Sequence, residues 1–143
     1  LALTRRHWSH DERNILSIQT NLAHCLTRLG RHNEALVLNR GTYARWVAIM
    51  GASNEEAILN GTSLTVVLRQ SGRWEEARKL AQDQLLPAAG QSLGADHHLT
   101  LSISQNLALT LRDNPTSTRD DVLEAETIMQ DVIQRRRRVL GPA

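Results

Sequence analysis

The residues able to do chemistry are few, and most have a simpler use. Carboxylates occur as the adjacent pairs Glu55–Glu56, Glu75–Glu76 and Asp120–Asp121. General acid–base work needs carboxyls that face one substrate. Neighbours at the start of a helix instead complement its dipole, and all three pairs read that way. Of the six histidines, His7 and His10 stand three apart and, with Asp11, could hold zinc or nickel only adventitiously. His97 and His98 are adjacent, and on a helix such neighbours diverge by about 100°. They read as surface or helix-start residues. Cys25 is the single cysteine, which excludes an internal disulfide and a cysteine-based zinc cluster. It is expected on an apolar helix face as a small core residue. The run Arg135–Arg138 closes a segment opened by Asp120, Asp121, Glu124 and Glu126. Acid first and base last suit the two ends of one helix, and nucleic acid would need a broader basic face. There is no glycine-rich phosphate loop, no GxSxG and no HExxH. The expectation is a chain with no catalytic site, no cofactor and no metal.

The elements that must position these residues follow from composition. The chain has 143 residues, enough for one domain or an excerpt of a larger one. Aromatics make up only 3%, which nearly excludes an all-β fold. Three prolines leave room for long helices. No apolar run approaches the length of a membrane span, and no signal-peptide pattern follows Leu1. A cytoplasmic piece of a longer protein is expected. Net charge is only +2. Of the basic residues only Lys79 is a lysine; the others are arginines, which favour bidentate contacts.

Internal repetition decides the architecture. Leu22, Leu26, Gly30, Arg31, Glu34 and Ala35 recur as Leu64, Leu68, Gly72, Arg73, Glu76 and Ala77, each 42 positions later. A third copy opens at Asn106–Leu107, with its Glu-Ala pair at Glu124–Ala125. Gly51, Gly94 and Gly141 form a second series, spaced 43 and 47. Each unit reads as two helices. Ile15, Ile18, Leu22, Cys25, Leu26 and Leu29 fall at steps of three and four, and Gly30 then stops the first helix. Helices are predicted at about 12–29, 33–50, 54–71, 74–92, 97–113 and 120–140. Asp96, and Ser53 or Asn54, are the expected N-caps. Pro87 should kink or break the fourth helix near Leu86. Ala23, Thr65 and Ala108, and facing them Ala35, Ala77 and Ala125, mark close helix crossings.

A small residue, a glycine turn and then Glu-Ala resemble the tetratricopeptide repeat. The longer period and the stretch from Leu93 to Leu101 are similar to the kinesin-light-chain type. Leu93, Gly94, His97, Thr100, Leu101, Asn106, Leu107 and Ala108 match its pattern, whereas His98 stands where a proline is usual. The resemblance covers residues 9–141. It implies an all-α fold: an α-solenoid of antiparallel helix pairs in a right-handed superhelix, with about three repeats and six main helices. The repeats would run over about 9–51, 52–94 and 95–141, with 1–8 the tail of a preceding one. Each such unit buries its apolar face against its neighbours, so uncapped ends leave self-association open.

In a stack of this kind the first helices line a concave groove. The candidate peptide-binding residues are Thr20, Asn21, His24 and Arg28, then Ser63, Val66 and Arg69, then Gln105, Asn106, Leu109 and Arg112. In similar repeats an asparagine at the place of Asn21 and Asn106 bonds the backbone of an extended peptide. Arg28, Arg69 and Arg112 would suit acidic side chains. The expected function is a scaffold that binds a protein or peptide partner, with neither nucleic acid nor membrane involved. The alternative is a regulatory solenoid of a larger signalling ATPase or enzyme, packing intramolecularly.

Overall fold

The computed structural model describes residues 10–141. His7, and with it the His7/His10 pair, lies outside the described residues. Six helices follow one another: α1 (His10–Arg28), α2 (His32–Met50), α3 (Glu55–Gln70), α4, α5 (His98–Asp113) and α6 (Arg119–Leu140). Helix α4 is composite. Trp74–Lys79 is α-helical, Leu80–Leu85 is a π-helical turn, and Leu86–Ser92 is α-helical again. Among the described residues there is no strand, and no helix is long and apolar enough to cross a membrane.

The helix ends have local causes. Gly30 sits at φ 77° and its equivalent Gly72 at φ 76°, where a Cβ would be strained. After α1, Arg31 N–H reaches the Leu26 carbonyl at 2.9 Å and Gly30 N–H reaches Thr27 at 3.0 Å. Arg73 to Leu68 and Gly72 to Arg69 repeat this pair after α3. The pattern satisfies carbonyls that would otherwise be orphaned at the helix end. At the N-termini, Asn54 accepts from the backbone of Glu56 and Ala57. Thr118 and Asp121 form a reciprocal capping box. The third unit departs from expectation, because His97 and not Asp96 is the cap. His97 holds an extended backbone, and its Nδ1 accepts from Leu99 N–H at 3.1 Å. Asp96 instead takes a 2.8 Å bond from Arg135. Being outside the helix, His97 does not diverge from His98; the two rings stack with centroids 4.4 Å apart.

The kink expected at Pro87 takes the form of the π turn. The Leu86 N–H bonds to Ala81, five residues back, so the ladder widens by one residue just before the proline. The wide turn also accounts for the two periods. From Gly30 to Gly72 the spacing is 42, while from Gly51 to Gly94 it is 43. The extra residue falls between Ala77 and Gly94, the stretch that holds the π turn.

The crossing residues are buried as their size requires. Ala23, Ala35, Ala77 and Ala108 have no exposed surface, and Thr65 and Ala125 have almost none. The main core runs from Leu26 through Ile58, Leu64, Leu85 and Ile103 to Ala125. Enclosing a large aliphatic side chain such as Ile58 or Ile103 contributes about 1.5–3 kcal/mol. The apolar face of α1 splits in two. Leu16, Ala23 and Leu26 are buried, but Ile15, Ile18, Leu22 and Leu29 are half or more exposed. Cys25 belongs to the outer half and is exposed, which corrects the core assignment. Among the described residues, its helix packs against α2 and α3.

Candidate functional site

The first helices of the three pairs, α1, α3 and α5, carry all eleven candidate residues. Four of these line a single cavity of about 120 Å³: Thr20, His24, Ser63 and Val66. Thr27, Thr62, Val67 and Asn39 complete its wall. The cavity contains no carboxylate and no arginine. The Thr27 and Thr62 hydroxyls donate to the Ala23 and Ile58 carbonyls of their own helices, at 2.9 and 2.8 Å. Their remaining lone pairs are acceptors. The Thr20 hydroxyl lies 2.9 Å from the Leu16 carbonyl and 2.7 Å from Asn60 Oδ1. It has one proton and donates to one of them at a time. Asn60, on α3, is fixed by its own Nδ2 donating to Glu56 at 2.9 Å.

Sequence reasoning misses Asn39 because it belongs to a second helix. It is 2% exposed, and its Oδ1 has no hydrogen-bond partner among the described residues. A buried acceptor left unpaired costs about 1–3 kcal/mol, and Asn39 stands in the wall of this mainly apolar cavity. A signal was present. Asn39 is a lone carboxamide where the second unit has Ala81, 42 positions on.

The arginines behave differently from a free ladder. Arg112 clasps Asp113, with Nε to Oδ1 at 2.5 Å and Nη2 to Oδ2 at 3.0 Å. Arg69 approaches the same carboxylate from α3 at 3.8 Å. The hydrogen bonds from Arg112 are the main reason that the Asp113 carboxyl is held below the usual carboxylate range. Two guanidiniums thus share one carboxylate, leaving a net charge of +1. Arg69 is largely enclosed and its Nε is buried without a partner. Arg28 and Asn21 are exposed. On α5, Gln105 accepts from Arg136 Nη2 at 3.3 Å, and Asn106 and Leu109 are half-buried. The structure therefore joins Thr20, His24, Ser63 and Val66 in one cavity and Arg69 with Arg112 in one ion cluster.

Among the described residues, six helices packed in consecutive pairs around a main core and a smaller second cluster define a helical repeat protein. The tetratricopeptide-repeat profile matches residues 15–56 and 117–143. No curated protein matches. Among solved structures, the chain is similar to a crystal structure of nearly identical TPR-like repeats, described as a kinesin light chain of Podosopora anserina. The TM-score is 0.75 at 18% identity, over 92% of this chain and 58% of that one. At that identity the likeness concerns the fold, and this chain spans somewhat over half of the matched structure. The chain thus carries tetratricopeptide-type repeats at 15–56 and 117–143, in a fold similar to that of the kinesin-light-chain repeats. Such repeats generally serve as protein-interaction scaffolds and are typically non-catalytic.

Proposed function

We propose that the chain binds an extended peptide segment of a partner protein along the groove formed by α1, α3 and α5. The observation that carries this reading is the cavity between α1 and α3, whose wall includes Asn39, a residue with a buried and unpaired Oδ1. Its lining is mostly apolar, with hydroxyls on Thr20, Thr27, Thr62 and Ser63, and it holds no carboxylate and no arginine. It suits a neutral donor from the peptide, an amide N–H or a hydroxyl, better than an ammonium, which would be buried without a counter-charge. Asn106 would bond the peptide backbone further along. Exposed Arg28, and the residual positive charge around Arg69 and Arg112, favour acidic residues at the flanks.

The test is a displayed peptide library selected on the immobilised chain. The enriched peptides are then titrated against wild type, Ser63→Phe and Asn106→Ala. Ser63→Phe fills the cavity and should weaken binding by more than about tenfold. Asn106→Ala should weaken it by about two- to tenfold. Peptides that bind Ser63→Phe as tightly as wild type, with helicity unchanged, would place the site elsewhere.

A further inference from the structure

The second and third units meet at a guanidinium that lacks acceptors. Arg69 lies in the last turn of α3, with its side chain 19% exposed. Its Nε is buried and unpaired, and its Nη1 stands 3.8 Å from Asp113 Oδ2. That is an ionic approach, too long for a hydrogen bond. Among the described residues the Arg69 guanidinium makes no hydrogen bond at all. A fork of five donors so enclosed is costly without acceptors.

Asp113 does not supply them. Its two oxygens receive Arg112, Nε to Oδ1 and Nη2 to Oδ2, and Arg69 is left with charge compensation alone. The helix gives Asp113 no reason to be acidic. It is the last residue of α5, where the dipole disfavours a carboxylate. The units serve as controls for one another. In the register of Leu22, Leu64 and Leu107, Arg112 answers to Arg69 and Thr27, and Asp113 answers to Gln70 and Arg28. The row that ends in Asp113 thus runs from positive through neutral to negative, and only the third unit sets an acid beside the arginines.

We infer that Arg69 receives an acidic side chain of the bound peptide and that Asp113 is its internal competitor, a carboxylate that holds down the affinity of the groove for acids. The inference rests on the peptide-binding reading and adds which arginine receives the acid and what opposes it. An arriving carboxylate would give Arg69 the acceptors it lacks, at the terminal nitrogens because Nε is buried. Asp113 repels that carboxylate and draws on the same two guanidiniums. A merely structural ion pair would show the opposite response, since breaking it would leave binding unchanged or weaker.

Peptides selected from a displayed library on wild type are each made in two forms, as selected and with every Asp and Glu replaced by Asn and Gln. Both forms are titrated against wild type, Asp113→Asn, Arg69→Gln and the double variant. Asp113→Asn should bind the acidic forms about three- to fivefold more tightly and the neutral forms as wild type does. Arg69→Gln should weaken the acidic forms about tenfold, and adding Asp113→Asn to it should restore little. Glu55→Gln makes the same change of charge at the other end of α3, about 20 Å along the helix from Arg69, and should alter neither form. Should Arg69→Gln misfold, Arg69→Lys keeps the charge but loses the planar fork, and it too should weaken the acidic forms. Acidic forms that gain nothing from Asp113→Asn, or gain as much from Glu55→Gln, would overturn the inference; neutral forms that still bind would leave the groove in place. A selected set without acidic residues would overturn it as well. If neither form binds wild type or Asp113→Asn, both readings fall.

Discussion

Two glycines inside helices show how one residue type takes opposite roles. Gly61 is buried in α3, and an added Cβ would stand 2.4 Å from Leu85 Cδ2 and 2.8 Å from Tyr43 Cε1. Leu85 is itself 1% exposed and has nowhere to retreat. Gly41, in α2, has nothing within 4 Å of that position. Alanine gains about 1 kcal/mol over glycine in a helix interior, and overpacking costs about 1–3 kcal/mol. Gly61→Ala should therefore lower stability, and Gly41→Ala should raise it by up to about 1 kcal/mol. Urea denaturation of the two variants checks both signs; a stabilised Gly61→Ala would refute the close packing. The crossing alanines were legible for the same steric reason, since only small residues let helices approach. The sharing of Asp113 by Arg69 and Arg112 was not, because it depends on where two helices far apart in sequence come to lie.

The helices themselves were largely readable. Helix stops are written in glycines at positive φ, and starts in Asn54 and Thr118. The cap at His97 escaped notice because imidazole is an uncommon cap beside an aspartate. The π turn of α4 escaped because one extra residue changes a spacing only from 42 to 43. The α6 cap carries a prediction. The Asp121 carboxyl is held below its ordinary range, first by the Thr118 backbone N–H and then by the Thr118 hydroxyl. A carboxyl depressed on folding stabilises above its unfolded titration range, and that contribution fades as pH falls through the folded value. Stability measured below about pH 4 should therefore decline in wild type. Thr118→Ala should cost about 0.5–2 kcal/mol near neutrality and flatten part of that decline. An unchanged acid profile in Thr118→Ala would show that the Thr118 hydroxyl adds nothing to what its backbone N–H does for Asp121.

For the whole molecule, stability should follow the number of neighbours each helix has, because repeat arrays are held by nearest-neighbour contacts. Among the described residues, helices α3 and α5 are covered on two sides, whereas Ile15, Ile18 and Leu22 of α1 are exposed. In dilute solution the amides of α1 should exchange with deuterium at least about tenfold faster than those of α3. Equal protection would mean that the array unfolds as one unit. Cys25 illustrates the limit of pattern reading at this scale. Periodicity identifies an apolar face, but burial depends on whether a neighbour is there to cover it. The wide turn in α4 also accommodates one residue that the other two units lack. From the alanine of the Glu-Ala pair to the closing glycine, the first and third units span sixteen positions, Ala35 to Gly51 and Ala125 to Gly141, while the second spans seventeen. A helix cannot absorb an added residue without turning everything beyond it by about 100°. The π turn confines that rotation to one coil, so Ala77 before it and Leu93 after it keep the packing positions of Ala35 and Met50.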